Sequence, residues 1–352
     1  MKYKILGSSN LKVSELCLGT MTFGEEFGIG APESECRRVF DAFVEAGGNF
    51  IDTADIYNAG TSERMLGEFA AANRDYLVLA SKYSLNTRPE DPNAGGSHRK
   101  NLMQSLNASL RRMGTDYLDL YWVHGWDGST DLAEVMRALD DQVRAGKILH
   151  IGISNAPAWV VATANTLARE RNQTPFTAMQ LHYNLVERSI ERDYFALANA
   201  QNMAILPWSP LAGGLLTGKF DRGATTSAGD DARLRNSPRG AQVLQDRNLE
   251  VAEAVSAMAA DIGCSTAQLA LAWMMRRTST CVVPVIGARN LAQLQDNLKS
   301  VDVTIGAETV SALDGLTELA PEYPHTLYAS EFFQTMMYGE VGPSIEFERP
   351  WA

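Results

Sequence analysis

The sequence predicts an α/β fold. It is a (β/α)8 TIM barrel in one domain over residues 1–352, with an N-terminal β-hairpin, a long loop after barrel strand 7 and a C-terminal extension. Three observations carry that prediction. Eight short apolar runs recur along the chain, as expected for parallel strands buried on both faces. Each is followed by a stretch compatible with a helix. The first run leads into GTMTFGEE, which lacks the GxGxxG spacing that an open doubly wound sheet would place there.

In chain order, KYKILG, a turn at SSN and KVSEL form the hairpin. The barrel strands are LCLGT (16–20), NFIDTA (49–54), YLVLASK (76–82), LDLYWVH (118–124), ILHIGIS (148–154), TAMQLHY (177–183), MAILPWS (203–209) and CVVPVIG (281–287). SECRRVFDAFVEAG, NLMQSLNASLRRMG and LAEVMRALDDQVRAG have apolar residues at helical spacing and a glycine stop. Residues 218–246 are rich in Gly, Ser, Asp and Arg, the composition of a mobile surface loop. The extension starts near residue 303 and carries an apolar cluster, YASEFFQTMMYG, for which burial in the monomer is the default expectation.

With 352 residues, 45% hydrophobic and 21% charged, the chain can bury a large core. A net charge of −11 repels nucleic acid and anionic membranes, so neither is expected as a partner, and a phosphate-bearing ligand needs a local basic pocket. Four scattered cysteines without a CxxC pair read as reduced thiols, most of them packed inside. MKYKILGSSN lacks the apolar run of a signal peptide and no 18-residue apolar stretch occurs, so the expected location is cytoplasmic. The five histidines include no HxH pair and no HExxH spacing, and no metal is expected. Oligomeric state is not readable from the sequence.

Barrel chemistry sits at the C-terminal ends of the strands. Asp52 lies late in the second barrel strand and Tyr57 just beyond it, while Lys82 ends the third and His124 the fourth. Neighbouring parallel strands are roughly 5 Å apart, so these side chains can converge. A phenol with an ordinary pKa near 10 is poorly matched to neutral pH, and a nearby ammonium lowers that pKa. A carboxylate keeps the ammonium charged and oriented. Asp, Lys, Tyr and His together suit protonation of a carbonyl oxygen while hydride arrives at carbon.

NFIDTADIYNAGTSE, the lysine of LVLASK and the histidine of DYLDLYWVHGWD resemble three motif blocks of the aldo-keto reductase superfamily, and the similarity runs through essentially the whole chain. The resemblance implies Tyr57 as general acid, Lys82 and Asp52 as its tuning pair, and His124 as the group that orients the carbonyl. Asp55 falls where the family has an acidic residue without a direct catalytic role, so a turn or support function is expected. Trp208 and the arginine of the GARN turn place the chain nearer the prokaryote-rich and channel-β-subunit-like branches.

The later strand ends suit a nicotinamide cofactor. A hydroxyl and two amides, Ser154, Asn155 and Gln180, supply the donors and acceptors a carboxamide needs, though Ser154 and Asn155 also fit helix capping before Pro157. By resemblance these three hold the carboxamide and Trp208 stacks on the ring. In SPLAGGLLTGK, glycines permit close approach of a pyrophosphate and Lys219 adds charge, and the resemblance implies contacts from Ser209, Leu211 and Gly213. IGARNLAQLQDNL opens a helix, and its N-terminal N–H groups and Arg289 favour phosphate. The resemblance puts the adenosine 2′-phosphate at Gly287, Arg289 and Gln293, with Asp296 and Asn297 at the adenine. With no acidic residue beside Arg289 in the sequence to claim a free 2′-hydroxyl, NADP(H) is expected over NAD(H).

Phe23 and Trp126 are candidate apolar walls for a medium-sized, fairly apolar aldehyde or ketone, or the matching alcohol. Two rival readings stand beside reduction. One is a Schiff-base lyase using Lys82 as nucleophile, which a charge-keeping Asp52 opposes. The other is a cofactor-binding regulatory or redox-sensing module with slow turnover, like the channel-associated β-subunits that the WSPLAGG block resembles.

Overall fold

Tyr3–Ile5 (β1) and Lys12–Ser14 (β2) form the expected hairpin, with Tyr3 opposite Ser14. Its apolar residues Leu6 and Val13 are fully buried with the residues that fill the inside of the barrel, so the hairpin plugs the bottom of the ring. The structure, a computed structural model, describes residues 1–220, 234, 240–276, 280–328 and 330–345.

Eight parallel strands follow: Cys17–Gly19 (β3), Phe50–Asp52 (β4), Val78–Tyr83 (β5), Leu118–Val123 (β6), Ile148–Ser154 (β7), Phe176–His182 (β8), Ala204–Trp208 (β9) and Val285–Ile286 (β10). Each hydrogen-bonds to the next from β3 to β9, and β10 pairs with β3 through Val285–Cys17 and Ile286–Leu18. The last strand is shorter than its apolar run suggests, because Pro284 lacks the N–H a continuous ladder needs. Val282, before the proline, bridges to Ile205 of β9 instead, with the Ile205 N–H donating to the Cys281 carbonyl at 2.8 Å. The ring is thereby closed.

Period-two alternation sorts the strand residues into two cores. Val78, Ala80, Leu120 and Trp122 face inward, while Leu79, Tyr83, Tyr121 and Val123 face the surrounding helices. Trp122 fits inside only because Gly152 is opposite: a Cβ at residue 152 would lie 2.3 Å from the indole. The same alternation that turns Val78 and Ala80 inward carries Lys82 to the top of the ring.

The outer layer begins with helices Glu33–Glu45 (α1), Thr61–Ala70 (α2), Arg99–Met113 (α3), Leu132–Arg144 (α4), Ala158–Glu170 (α5) and Tyr194–Gln201 (α6). The expected loop at 218–246 falls largely outside the described residues, and helix Asp246–Ile262 begins at its end. The extension forms helices Ala307–Leu316, His325–Tyr328 and Glu331–Tyr338. Its apolar cluster departs from the expectation of burial: Phe332 and Met336 are 72% and 69% exposed. Cys17 and Cys36 are buried, Cys264 and Cys281 half-buried, and all four are free thiols. No single helix among the described residues is long and apolar enough to cross a membrane.

Candidate active site

Asp52 ends β4 in register with Ala80, and Lys82 stands one inward step higher on β5. The Lys82 ammonium contacts the Asp52 carboxylate, donates to the Thr53 carbonyl at 2.8 Å and donates to the Tyr57 hydroxyl at 3.2 Å. Three acceptors thus meet three N–H donors. Gln180, from β8 across the ring, donates from Nε2 to the other Asp52 oxygen at 3.1 Å. Asp52 and Lys82 are fully buried, while Tyr57 and His124 are half-buried at the mouth. The Tyr57 and His124 rings meet edge to face with centroids 5.8 Å apart. The four residues expected to act together are together.

Burial sets their protonation. It raises the Tyr57 phenol above its ordinary range and, although Lys82 opposes that rise, burial wins. The sequence-based expectation of a lowered phenol pKa therefore gives way to a phenol that holds its proton. For Lys82, burial works against the charge, but Asp52 and Tyr57 more than offset it and the ammonium persists. Burial also raises Asp52, against the pull of Lys82 and Gln180. His124 is depressed to about 3 by burial and then by the Lys82 charge, so its imidazole is neutral. His124 Nδ1 is buried with no partner among the described residues.

The second half of the mouth is a connected set of amides. The Ser154 hydroxyl donates to the Gln180 carbonyl at 2.8 Å and accepts from Asn155 Nδ2 at 2.9 Å. Asn155 also donates to the His124 carbonyl, and its Oδ1 accepts from Trp208 Nε1 at 3.0 Å. Neither Ser154 nor Asn155 caps α5, whose cap residue is Pro157, so the capping alternative does not hold. Trp208 is held further by His182, whose ring lies parallel to it at 4.1 Å. Gln180 keeps its carbonyl oxygen as an acceptor while its nitrogen serves Asp52. With the Ser154 and Asn155 hydrogens committed to these bonds, Gln180 has the side-chain oxygen and the second Nε2 hydrogen that would meet a carboxamide.

Beyond Trp208 the chain runs left-handed at Ser209, Ala212, Gly213 and Gly214, and the Gly213 N–H takes the Ser209 hydroxyl as acceptor. Leu211 is half-buried here and Lys219 exposed. Across the seam, Gly287 is exposed and a Cβ there would meet nothing within 4 Å, which leaves room for an anion beside Arg289.

Three of the residues expected at the cofactor also hold bonds within the chain. Asp296 accepts from the Ser265 hydroxyl at 2.9 Å and Gln268 at 2.7 Å, so it ties helix Leu291–Leu298 to helix Thr266–Met275. Gln293 turns back to accept the Arg289 N–H at 2.9 Å, and Asn297 is buried with its amide toward the Gly287 carbonyl. An acidic residue does stand at this helix start: Glu35 of α1 accepts the Leu291 N–H at 2.8 Å. Sequence reading missed it because 256 residues separate the pair.

At the substrate side Trp126 is half-buried on the loop after β6. Phe23 is not a wall. It is fully buried, 6.2 Å from the Phe69 ring, in the core between barrel and helices. Met21 and Phe27, in the loop after β3, and Leu85, just after β5, are exposed apolar residues.

Comparison with known proteins agrees with this geometry. Residues 15–318 match the model of the Aldo/keto reductase family. The chain belongs to that family. This aldo/keto reductase is 36% identical over 325 residues to a norsolorinic acid reductase of Aspergillus flavus, covering 89% of this chain and 80% of the relative. It is 35% identical over 353 residues to norsolorinic acid reductase B of Aspergillus parasiticus, covering 96% and 90%. An aryl-alcohol dehydrogenase (NADP(+)) of Phanerodontia chrysosporium is 34% identical over 340 residues, covering 90% and 86%. The protein is an oxidoreductase of this family.

Proposed function

We propose that this enzyme reduces aromatic aldehydes and ketones with NADPH, or oxidises the matching alcohols with NADP, using Tyr57 as the proton donor and acceptor. The observation that carries the reading is the Lys82 ammonium on the Tyr57 oxygen at 3.2 Å. An ammonium has no lone pair, so the Tyr57 oxygen accepts and its own proton is left to point at a ligand. The names of the similar proteins support an aromatic substrate and NADP.

Bound nicotinamide supplies the hydride to the carbonyl carbon. The chain's own residues do the rest. Neutral His124 donates a hydrogen bond that orients the carbonyl oxygen. As that oxygen gains charge it becomes far more basic than a phenolate, and Tyr57 gives up its proton despite the raised pKa. Lys82 then faces the phenolate, and Asp52 holds Lys82 in place and charged. In the oxidation direction the same phenolate takes the alcohol proton.

Ser154, Asn155 and Gln180 would hold the carboxamide and Trp208 the ring face. Ser209, Leu211, Gly213 and Lys219 would line the pyrophosphate. Gly287, Arg289 and Gln293 would take the 2′-phosphate, with Asn297 and Asp296 at the adenine. Trp208 and the GARN turn also support a place near the prokaryote-rich and channel-β-subunit-like branches.

The test is loss of dihydronicotinamide absorbance with aromatic aldehydes, aliphatic aldehydes and quinone-type ketones, NADPH against NADH, wild type against Tyr57→Phe. NADPH-driven turnover that falls roughly 10²–10⁴-fold in Tyr57→Phe is expected. Turnover untouched by Tyr57→Phe would remove the proton-donor role. Tight NADPH binding with no turnover would turn the reading to the regulatory module.

A further inference from the structure

The turn that carries Tyr57 is built in an uncommon backbone. Asn58 and Ala59 have φ of 47° and 52°, and Gly60 follows at 89°. Three consecutive left-handed residues persist only where the surroundings over-determine them, and a non-glycine residue there is strained by about 1–2 kcal/mol. The side chain of Asn58 shows what holds them. It is fully buried, its Nδ2 donates to the Met21 carbonyl at 3.0 Å and the Phe23 carbonyl at 2.9 Å, and its Oδ1 accepts the Phe27 N–H at 2.8 Å.

The loop after β3 therefore curls around this one carboxamide. Gly24 permits the approach: a Cβ there would lie 3.0 Å from the Asn58 Cβ, at a φ of +108°. The loop is fixed at its far side too, where the Thr22 hydroxyl donates to the Ala288 carbonyl at 2.9 Å and the Gly24 N–H to Ala31. Tyr57, by contrast, has a single described side-chain hydrogen bond, from Lys82. Its phenol needs its main chain held from elsewhere.

We infer that Asn58 is a positioning residue for the general acid, and that its carboxamide, by locking the Tyr57 turn against the Met21–Phe27 loop, fixes the distance from the Tyr57 oxygen to Lys82 and substrate. This rests on the proposed role of Tyr57. It assigns a task to a residue next to the catalytic one that touches neither substrate nor cofactor.

Asn58→Gly separates amide from backbone, because glycine adopts positive φ freely and loses only the three hydrogen bonds. Two readouts are needed. Hydrogen exchange at the Phe27 amide and across residues 57–60 reports the lock without any turnover. Steady-state kinetics reports its consequence. Expected are faster exchange at both places, NADPH affinity like wild type, and kcat lowered roughly 100-fold with a larger solvent deuterium isotope effect, as for a misplaced proton donor. Ala59→Gly, which relieves the neighbouring φ and leaves the amide alone, should keep wild-type kcat and isotope effect.

Unchanged exchange in Asn58→Gly overturns the lock. Faster exchange with wild-type kcat overturns the positioning role, and so does an equal kcat loss in Ala59→Gly. If wild type shows no turnover that depends on Tyr57, the reductase reading fails first, and exchange still decides whether Asn58 holds the turn.

Discussion

Strand β4 and the turn after it place two carboxylates three residues apart, and the two have opposite surroundings. Asp52 is 1% exposed and Asp55 is 3% exposed. Asp52 points into the ring, where Lys82 and Gln180 engage both of its oxygens. Asp55 lies on the helix side, where its oxygens have only weak contacts, from Ser105 and the Ile56 N–H, that fall short of good hydrogen-bond geometry. Its neighbour Glu63 is buried as well, but Glu63 is served by the Ser81 hydroxyl at 2.5 Å and Arg112 Nε at 2.6 Å. Burial is the same for all three. The partners differ, and Asp55, raised to about 7 by burial and then by the Glu63 charge against the pull of Arg112, spends neutral pH near its midpoint.

The sharpest way to break the contrast is to give Asp52 the surroundings of Asp55. Lys82→Met removes the ammonium and leaves a buried, half-served carboxylate, which should cost about 3–5 kcal/mol and abolish Tyr57-dependent turnover. Denaturant unfolding measures the first and the absorbance assay the second. Adding Asp52→Asn should return much of the stability and none of the rate, and a double variant no more stable than Lys82→Met would show that the pair is not coupled.

The second prediction concerns Asp55 and stability against pH. Its folded pKa lies above the unfolded value of 3.8, so the native state favours the protonated form. The resulting stabilisation is complete below pH 3.8 and fades as pH rises through about 7, a change of about 4 kcal/mol if the full shift is realised. Asp55→Asn should flatten that slope between pH 5 and 8 and be more stable than wild type at pH 8. Parallel profiles for the two proteins would mean that Asp55 finds a partner in solution.

A third carboxylate extends the comparison to the surface. Glu35 sits at the start of helix Leu291–Leu298, where it takes the Leu291 N–H and pairs with Arg38. A dianionic phosphate beside Arg289 would meet this negative charge, whereas a free ribose hydroxyl would not. Glu35→Gln should raise NADPH affinity relative to NADH by roughly two- to fivefold, read by fluorescence titration of each. An unchanged ratio would place the phosphate away from this helix start.

The cluster of Asp52, Tyr57, Lys82 and His124 was legible because two simple rules locate it. Alternation along YLVLASK turns Lys82 inward, and the barrel rule puts strand ends at the chemistry. Ser154 and Gln180 follow by the same logic. What was not legible depends on partners distant in sequence. Phe23 is apolar in either role, and only the packing of α1 and α2 shows that it is core. Glu35 and Leu291 meet because the last barrel strand returns to the first, a closure that no local pattern states. The net effect on Tyr57 was misjudged for a different reason: the sequence shows that Lys82 is available, but not how completely water is excluded.

The interrupted last strand has a consequence for how the ring stays shut. Among the described residues, a single bridge at Ile205–Val282 joins β9 to the last apolar run, whereas β10 and β3 share two residue pairs, as β3 and β4 do, and β6 and β7 share five. The circle is a bracelet with one thin link. The two stretches proposed to grip the dinucleotide, Ser209–Gly213 and Gly287–Arg289, lie on either side of that link, so a molecule held by both would act as the clasp, and the fold would tighten in proportion to how much of it is bound.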